Sequence, residues 1–341
     1  MKILELFSGY GTASFALKQL GIPYECVGYS DIDKYANQCF QQNHGGKELG
    51  DVTKINPKDL EDFDLLTGGF PCQTFSVAGK GLGELDTRGT LFNEIIRIAE
   101  VKKPKYMMLE NVKGLTFKKH KSTFDKIISE LYRIGYFVKW KILNTKNYGI
   151  PQNRERIFFV CFKSWTDFCN FEWPEKEELK LLLGDILEKN VDDKYYLNEE
   201  QVKRLLKYER SFNERVFNEE ISNIICSRDY KVPKIVYYQC DPKQKHHNSQ
   251  MDRIYSTNGL SPTLHLRSKD IKILLNKAIM DGYTIRKITP IECFRLQGFL
   301  NDEINLDGLP DTQRYKLAGN GQSVNVVKKI FEQMFLKGDN K

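Results

Sequence analysis

Apolar and charged positions alternate from the start of the chain, and Lys2-Ile3-Leu4-Glu5-Leu6-Phe7 predicts a first strand. The pattern breaks at Ser8-Gly9-Tyr10-Gly11-Thr12. Phe15, Ala16 and Leu20 then recur on one helical face, with Gly21 placed as the cap that ends the helix. A second strand over 25–30 stops at Asp31. Leu65-Leu66 closes a run that reads as a buried strand, and the chain leaves it through Gly68-Gly69-Phe70-Pro71-Cys72-Gln73-Thr74-Phe75-Ser76. Beyond lie a helix over 91–101, a strand over 105–109 that delivers Glu110-Asn111-Val112, a helix over 122–134 and a strand over 137–144. Gly149-Ile150-Pro151-Gln152-Asn153-Arg154-Glu155-Arg156 then leads into the apolar strand Ile157–Phe162. Strand, glycine loop, helix, strand and acid in that order form the nucleotide-binding half of a Rossmann-like sheet. The fold class is α/β.

The alternation stops at Ser164. Residues 165–280 are less regular and richer in Tyr, Lys and Asn, and they read as an inserted small domain. The α/β character returns at Thr289-Pro290-Ile291-Glu292, a helix start with proline in the first turn. It ends with Gly319-Asn320-Gly321-Gln322-Ser323-Val324 and a last amphipathic helix. The expected domains are therefore 1–164, the insert 165–280, and a return over 281–341.

Charge refines this division. The net charge is +7, but residues 102–121 hold seven lysines against one acid, and 226–280 hold ten Lys/Arg against four Asp. Residues 165–225 run the other way, nine basic against fifteen acidic. Two basic segments flanking an acidic one fit a cleft for nucleic acid with an outer face turned away from it. The eight cysteines contain no Cys-x-x-Cys pair. Cys240 with His246 and His247 lacks the second thiol pair of a tetrahedral site, so no metal is expected. No apolar run is long enough for a signal peptide or membrane span, and the expected location is cytoplasmic, with reduced thiols.

Several residues are placed for chemistry. Gly9 and Gly11 let the first turn approach a ligand, and Asp31 stands where ribose hydroxyls would be bound. Ser14 replaces the third glycine of the dinucleotide fingerprint, so a nucleoside ligand without a pyrophosphate fits at least as well. Asp51, before Val52, suits an adenine amino group. Taken singly, either aspartate also fits a surface turn. Cys72 leaves a strand end in a Gly/Pro-rich loop, the place of a nucleophile, and the glycines at 79, 81 and 83 suggest a lid. Glu110 at a strand end is a candidate acid/base, or a lysine-paired surface carboxylate. Arg154 and Arg156, two apart on an extended segment, face one side and suit a shared anionic or carbonyl target.

Together these segments resemble the cytosine-C5 DNA methyltransferases. The matching motifs are Phe7-Ser8-Gly9-Tyr10-Gly11, Phe70-Pro71-Cys72-Gln73, Glu110-Asn111-Val112, Gln152-Asn153-Arg154-Glu155-Arg156, Arg295-Leu296-Gln297-Gly298-Phe299 and Gly319-Asn320. The insert sits where that family carries its target recognition domain, and Thr263-Leu264 resembles that domain's Thr-Leu signature. Two departures stand out. Gly321-Gln322 intervenes before Ser323-Val324, and Ile32 replaces an aromatic that some relatives stack on adenine.

The resemblance implies a Rossmann-like, S-adenosyl-L-methionine-dependent sheet, with the cofactor held by Phe7, Ser8, Gly9, Tyr10, Gly11, Thr12, Asp31, Ile32, Asp51, Val52, Pro71, Leu91 and Asn320. It implies catalysis by Cys72 as nucleophile and Glu110 as general acid, with Asn111, Arg154 and Arg156 in support. The substrate is then duplex DNA with the target cytosine flipped out. Gln73, Ser76, Arg88, Lys118, Lys119, Arg228, Gln239, Gln244, Arg253, Thr263 and Arg267 are the candidate DNA contacts. The expected setting is a monomer, in a restriction–modification system with a separate endonuclease or as a solitary modification enzyme. The rival readings are an RNA cytosine-C5 methyltransferase, a non-catalytic DNA-binding relative and a Rossmann oxidoreductase. Amino-methylating DNA enzymes carry a Pro-Pro motif, which this chain lacks.

Overall fold

A computed structural model describes residues 1–71, 90–198, 200, 254–256, 261–262, 272–274 and 285–336. Its centre is a six-stranded sheet of β1 (Lys2–Leu6), β2 (Glu25–Ser30), β3 (Leu65–Gly69), β4 (Tyr106–Val112), β5 (Phe137–Asn144) and, after the short β6 (Gln152–Asn153), β7 (Glu155–Phe162). The order is β2-β1-β3-β4-β7-β5. β2, β1, β3 and β4 run parallel, whereas β7 lies antiparallel between β4 and β5. An isolated parallel bridge from Tyr29 to Glu48 extends the β2 edge.

Period-two alternation sends successive side chains to opposite faces. Ile3 joins a core with Phe15, Leu17, Val327 and Phe331, while Leu4 and Leu6 join the other with Leu66, Ile95 and Leu131. The first face is covered by α1 (Thr12–Gln19); on the second, α2 (Lys34–His44) excepted, lie α3 (Thr90–Lys102) and α4 (Lys121–Arg133). After the short α5 (Trp165–Asn170) and, beyond the insert, α6 (Pro290–Arg295) and α7 (Asp311–Asn320), α8 (Val324–Phe335) returns to pack against α1.

The body continues past the expected boundary at 165. Phe171, Leu183 and Ile186 are buried in the same core as α1 and α8, because each supplies a large apolar side chain to that face. The return is tied down by a buried ion pair. Glu292 receives Arg286 Nη1 at 2.8 Å and Nη2 at 2.5 Å, with the Thr289 and Glu188 N–H groups each at 2.8 Å. Thr289 and Glu292 form the capping box that starts α6. Three short strands, β8 (Ile254–Ser256), β10 (Lys272–Leu274) and β11 (Ile285–Lys287), form a second sheet, and β9 (Ser261–Pro262) pairs with β6.

Candidate active site

The site lies at the topological switch point, where β1 is flanked by β2 on one side and β3 on the other, the place at which open α/β sheets bind their ligands. β1 delivers Phe7 at φ 52, Gly9 at φ 55 and Gly11 at φ 82, a left-handed run that bends the loop sharply into α1. A Cβ on Gly11 would stand 2.5 Å from the His44 ring, so the close approach of α2 requires glycine. His44 Nε2 lies 3.1 Å from the Tyr10 carbonyl and its Nδ1 lies 3.3 Å from the Tyr24 hydroxyl. Burial pushes His44 down to about 4, so the neutral ring donates from Nε2 to that carbonyl.

Carboxylates hold this loop through backbone N–H groups. Asp31 accepts the Gly9 N–H on Oδ2 at 3.0 Å and the Asp33 N–H on Oδ1 at 2.9 Å. Burial pushes Asp31 up, and those bonds pull it back. Glu5 points from β1 under α1 and accepts the Ser14 N–H at 3.0 Å, replacing the side-chain cap that Gly11 cannot supply. Ser8 is buried, and its Oγ has no partner among the described residues. Ile32 stands 84 % exposed beyond the end of β2. Asp51 accepts the Thr53 N–H at 3.0 Å and its hydroxyl at 2.9 Å, and these bonds hold its carboxyl below the usual range. Val52 is buried beside it, and Arg97 of α3 donates to the Val52 and Ile55 carbonyls at 3.1 and 2.7 Å.

A second group of side chains gathers at the end of β4. Glu110 is buried and meets Arg156 Nε at 3.0 Å, in a geometry that leaves Oε1 without a well-directed hydrogen bond. Burial pushes the Glu110 carboxyl up, against the pull of Arg156 and Arg154. The antiparallel register makes this meeting possible, since it sets Val112 opposite Arg156 at the start of β7. Asn111 donates from Nδ2 to the Phe70 carbonyl at 3.0 Å and accepts the Val112 N–H on Oδ1 at 2.8 Å. It thereby fixes the backbone two residues before Cys72.

Arg154 takes main-chain carbonyl groups as its partners. It feels the charges of Arg156 and Glu110, but its guanidinium is buried against main chain. Nη2 donates to the Gly321 carbonyl at 2.7 Å, and both Nη atoms lie 3.4 Å from the Gly319 carbonyl. Its place is that of a clamp on the 319–321 segment. Tyr10 grips the same segment from the other side, its hydroxyl donating to the Gln322 carbonyl. A Cβ on Gly321 would overlap the Tyr10 ring. Asn320 is the exposed last residue of α7, Leu91 is half-buried near the start of α3, Thr12 is buried at the start of α1, and Pro71 is exposed.

Sequence reasoning missed Glu5, His44, Arg97 and the Tyr10 grip. A charged residue at an inward position of an apolar strand was the one available signal, at Glu5. Lys118 and Lys119 stand exposed on a short 3₁₀ turn before α4. Cys72, Gln73, Ser76, Arg88 and the expected lid lie outside the described residues. So do Arg228, Gln239, Gln244, Arg253, Thr263, Arg267 and the Cys240–His247 stretch. Among the described residues no cluster of His, Cys, Asp or Glu could hold a metal, and no helix is long and apolar enough to cross a membrane.

Residues 1–336 match the family model of C-5 cytosine-specific DNA methylases. The chain is 35% identical to the type II methyltransferase M.HhaI of Haemophilus parahaemolyticus, over 97% of this chain and 93% of that protein. It is 36% identical to the type II methyltransferase M.NlaX of Neisseria lactamica, over 98% and 96%. The solved structure of the Dnmt2 methyltransferase from S. pombe superposes with a TM-score of 0.70 at 22% identity, covering 100% of both chains.

Proposed function

The chain belongs to the C-5 cytosine-specific DNA methylases and is a DNA (cytosine-5-)-methyltransferase, and from that premise we propose how its residues divide the reaction. The family depends on S-adenosyl-L-methionine, and the cradle fits such a nucleoside. It has a left-handed glycine turn, a buried Ser8 hydroxyl without a partner among the described residues, the Asp31 carboxylate at the next strand end and an exposed Ile32 beside it. Phe7, Ser8, Gly9, Tyr10, Gly11, Thr12, Asp31, Ile32, Asp51, Val52, Pro71, Leu91 and Asn320 are the residues we assign to holding it. When bound, the cofactor supplies the methyl group that cytosine C5 takes.

Cytosine C5 is a poor nucleophile, and the chain's own residues remedy this. Cys72 adds as a thiolate to C6, and Glu110 gives its proton to N3 as the ring accepts the electron pair. The resulting neutral enamine is nucleophilic at C5. Once C5 carries its methyl group, a base removes the C5 proton. The C5–C6 double bond reforms, the N3 proton returns to Glu110, and Cys72 departs as thiolate. Arg156 orients Glu110 and faces the base O2, while Asn111 and Arg154 hold the chain on either side of the pocket. The observation that carries this reading is Glu110, buried between Arg156 and the strand end that leads to Cys72, where burial pushes its carboxyl up. These atoms cannot be reached within a stacked duplex, so the cytosine is flipped out. Lys118, Lys119 and the basic half of the insert hold phosphates, and insert side chains read the target sequence. The type II relatives favour a role beside a separate restriction endonuclease over that of a solitary modification enzyme.

The test is methyl transfer from labelled cofactor to duplex DNA and to tRNA, with bisulfite mapping of the DNA. Protected cytosines in one short recurring motif are expected. Cys72→Ser should lower turnover about 10³-fold or more while cofactor and DNA binding persist. Normal turnover by that variant would end the covalent scheme, and transfer confined to tRNA would reassign the substrate.

A further inference from the structure

The departure at Gly321-Gln322 places a new side chain in the pocket. The backbone here is held from two directions, by Arg154 on the Gly321 carbonyl and by Tyr10 on the Gln322 carbonyl. Neither grip uses the Gln322 side chain, which is half-buried and makes no hydrogen bond among the described residues. That side chain leans over Gly69, the last residue of β3. A Cβ on Gly69 would stand 2.9 Å from Gln322 Nε2 and 3.3 Å from Glu110 Oε2. Both atoms thus border one small space, kept open by the missing side chain of Gly69. They are within one side-chain rotation or one bridging water of each other.

We propose that Gln322 is a positioning residue for Glu110, its amide N–H donating to the carboxyl from across Gly69 and fixing the direction in which the acid faces the base. This rests on Glu110 being the general acid. The groups facing Glu110 are few among the described residues. Arg156 comes from β7, Arg154 from the turn before it, and the Tyr10 hydroxyl from the loop after β1. β3 contributes only Gly68 and Gly69. Both arginines favour the ionised carboxylate, and neither Arg156 nor the main chain gives Oε1 a well-directed bond. Without a further contact the carboxyl would follow Arg156 alone. An amide on the opposite side completes its orientation and, being neutral, does so with less pull on the proton than a third cation.

A donor to the carboxyl favours its ionised form, so removing it raises the pH at which Glu110 loses its proton. The experiment is the pH profile of kcat/KM for DNA with Gln322→Met and Gln322→Glu, beside Glu110→Gln and the parent enzyme. Both Gln322 variants keep the carbonyl groups that Tyr10 and Arg154 hold, and thermal unfolding confirms that each is folded. We expect kcat to fall several-fold in Gln322→Met, with the cofactor KM within about twofold. The alkaline limb should move up by about half a pH unit in Gln322→Met and further in Gln322→Glu, where a like charge adds to the effect. An unmoved alkaline limb beside an inactive Glu110→Gln overturns the role of Gln322 and leaves the general acid in place. A rise in cofactor KM without a pH shift overturns it too, by making the residue a cofactor contact. An active Glu110→Gln would instead remove the general-acid reading on which the proposal stands.

Discussion

The cofactor cradle and the base pocket open at the same edge of one sheet, yet they are built in opposite ways. The first turn of the cradle is local. Residues 5–14 and 31–33 hold one another through carboxylates that accept backbone N–H groups, at 2.9–3.0 Å. Its strength is divided among several modest bonds, each worth about 1 kcal/mol, or somewhat more where the acceptor is charged. The base pocket draws on distant stretches, with Glu110 from β4, Arg156 from β7, and the 319–322 segment clamped by Arg154 and Tyr10. Its chemistry rests on one buried contact between a carboxyl and a guanidinium. A site of the first kind binds and degrades gradually when altered. A site of the second kind sets a proton's affinity and fails at a single residue.

Glu110→Gln tests this contrast most severely. Turnover should fall about a hundredfold or more, while cofactor affinity stays unchanged because the bonds that hold residues 5–14 and 31–33 do not involve Glu110. Single-turnover kinetics with separate cofactor titration reads both quantities, and a joint loss would merge the two regions into one. Asp31→Ala is the converse. It removes the acceptor for the Gly9 and Asp33 N–H groups and should raise the cofactor KM about tenfold, with kcat at saturation within about twofold. A collapse of kcat would show that the cradle also orders the base pocket.

Glu5→Gln should have the smallest effect on turnover and appear instead in stability. Burial pushes Glu5 up to about 7 from its ordinary 4.5. A carboxyl raised in the folded state gives stability that is fully present below its unfolded value and lost as pH rises through its folded one. The parent protein should therefore lose stability between about pH 4.5 and 7 from this group, and the variant should not. Melting temperatures at about pH 5 and pH 8 should diverge by a few degrees in favour of the variant at the higher pH. Parallel shifts would place the titration elsewhere.

Much of the fold was legible because it follows local patterning. The strand expected over 25–30 and that over 137–144 coincide with β2 and β5, and the helix over 122–134 lies within a residue of α4. The helix start at Thr289-Pro290 was legible from its capping chemistry. The strand over 105–109 runs on to Val112, because antiparallel pairing with β7 extends it beyond its apolar stretch. Pairing likewise starts β7 at Glu155 rather than at Ile157. The amphipathic α2 escaped notice because its polar face is broad, with only Ala36, Asn37, Cys39 and Phe40 buried. In the site, Glu110 and Arg156 were recognisable as types, but their meeting depends on which strand lies beside which. The partners of Arg154 were not legible for the same reason, since Gly319 and Gly321 are more than 160 residues away.

The antiparallel placement of β7 makes strand length a constraint in its own right. Arg156 sits at the entrance of this strand, so its aim depends on counting residues back from the pairing of Glu110 with Phe158. Deleting or adding one residue there would turn the guanidinium to the opposite face and swing an apolar neighbour inward. The approach to β7 has a fixed reading frame, so variants that graft or shorten the 145–153 connection must preserve its phase if the pocket is to survive.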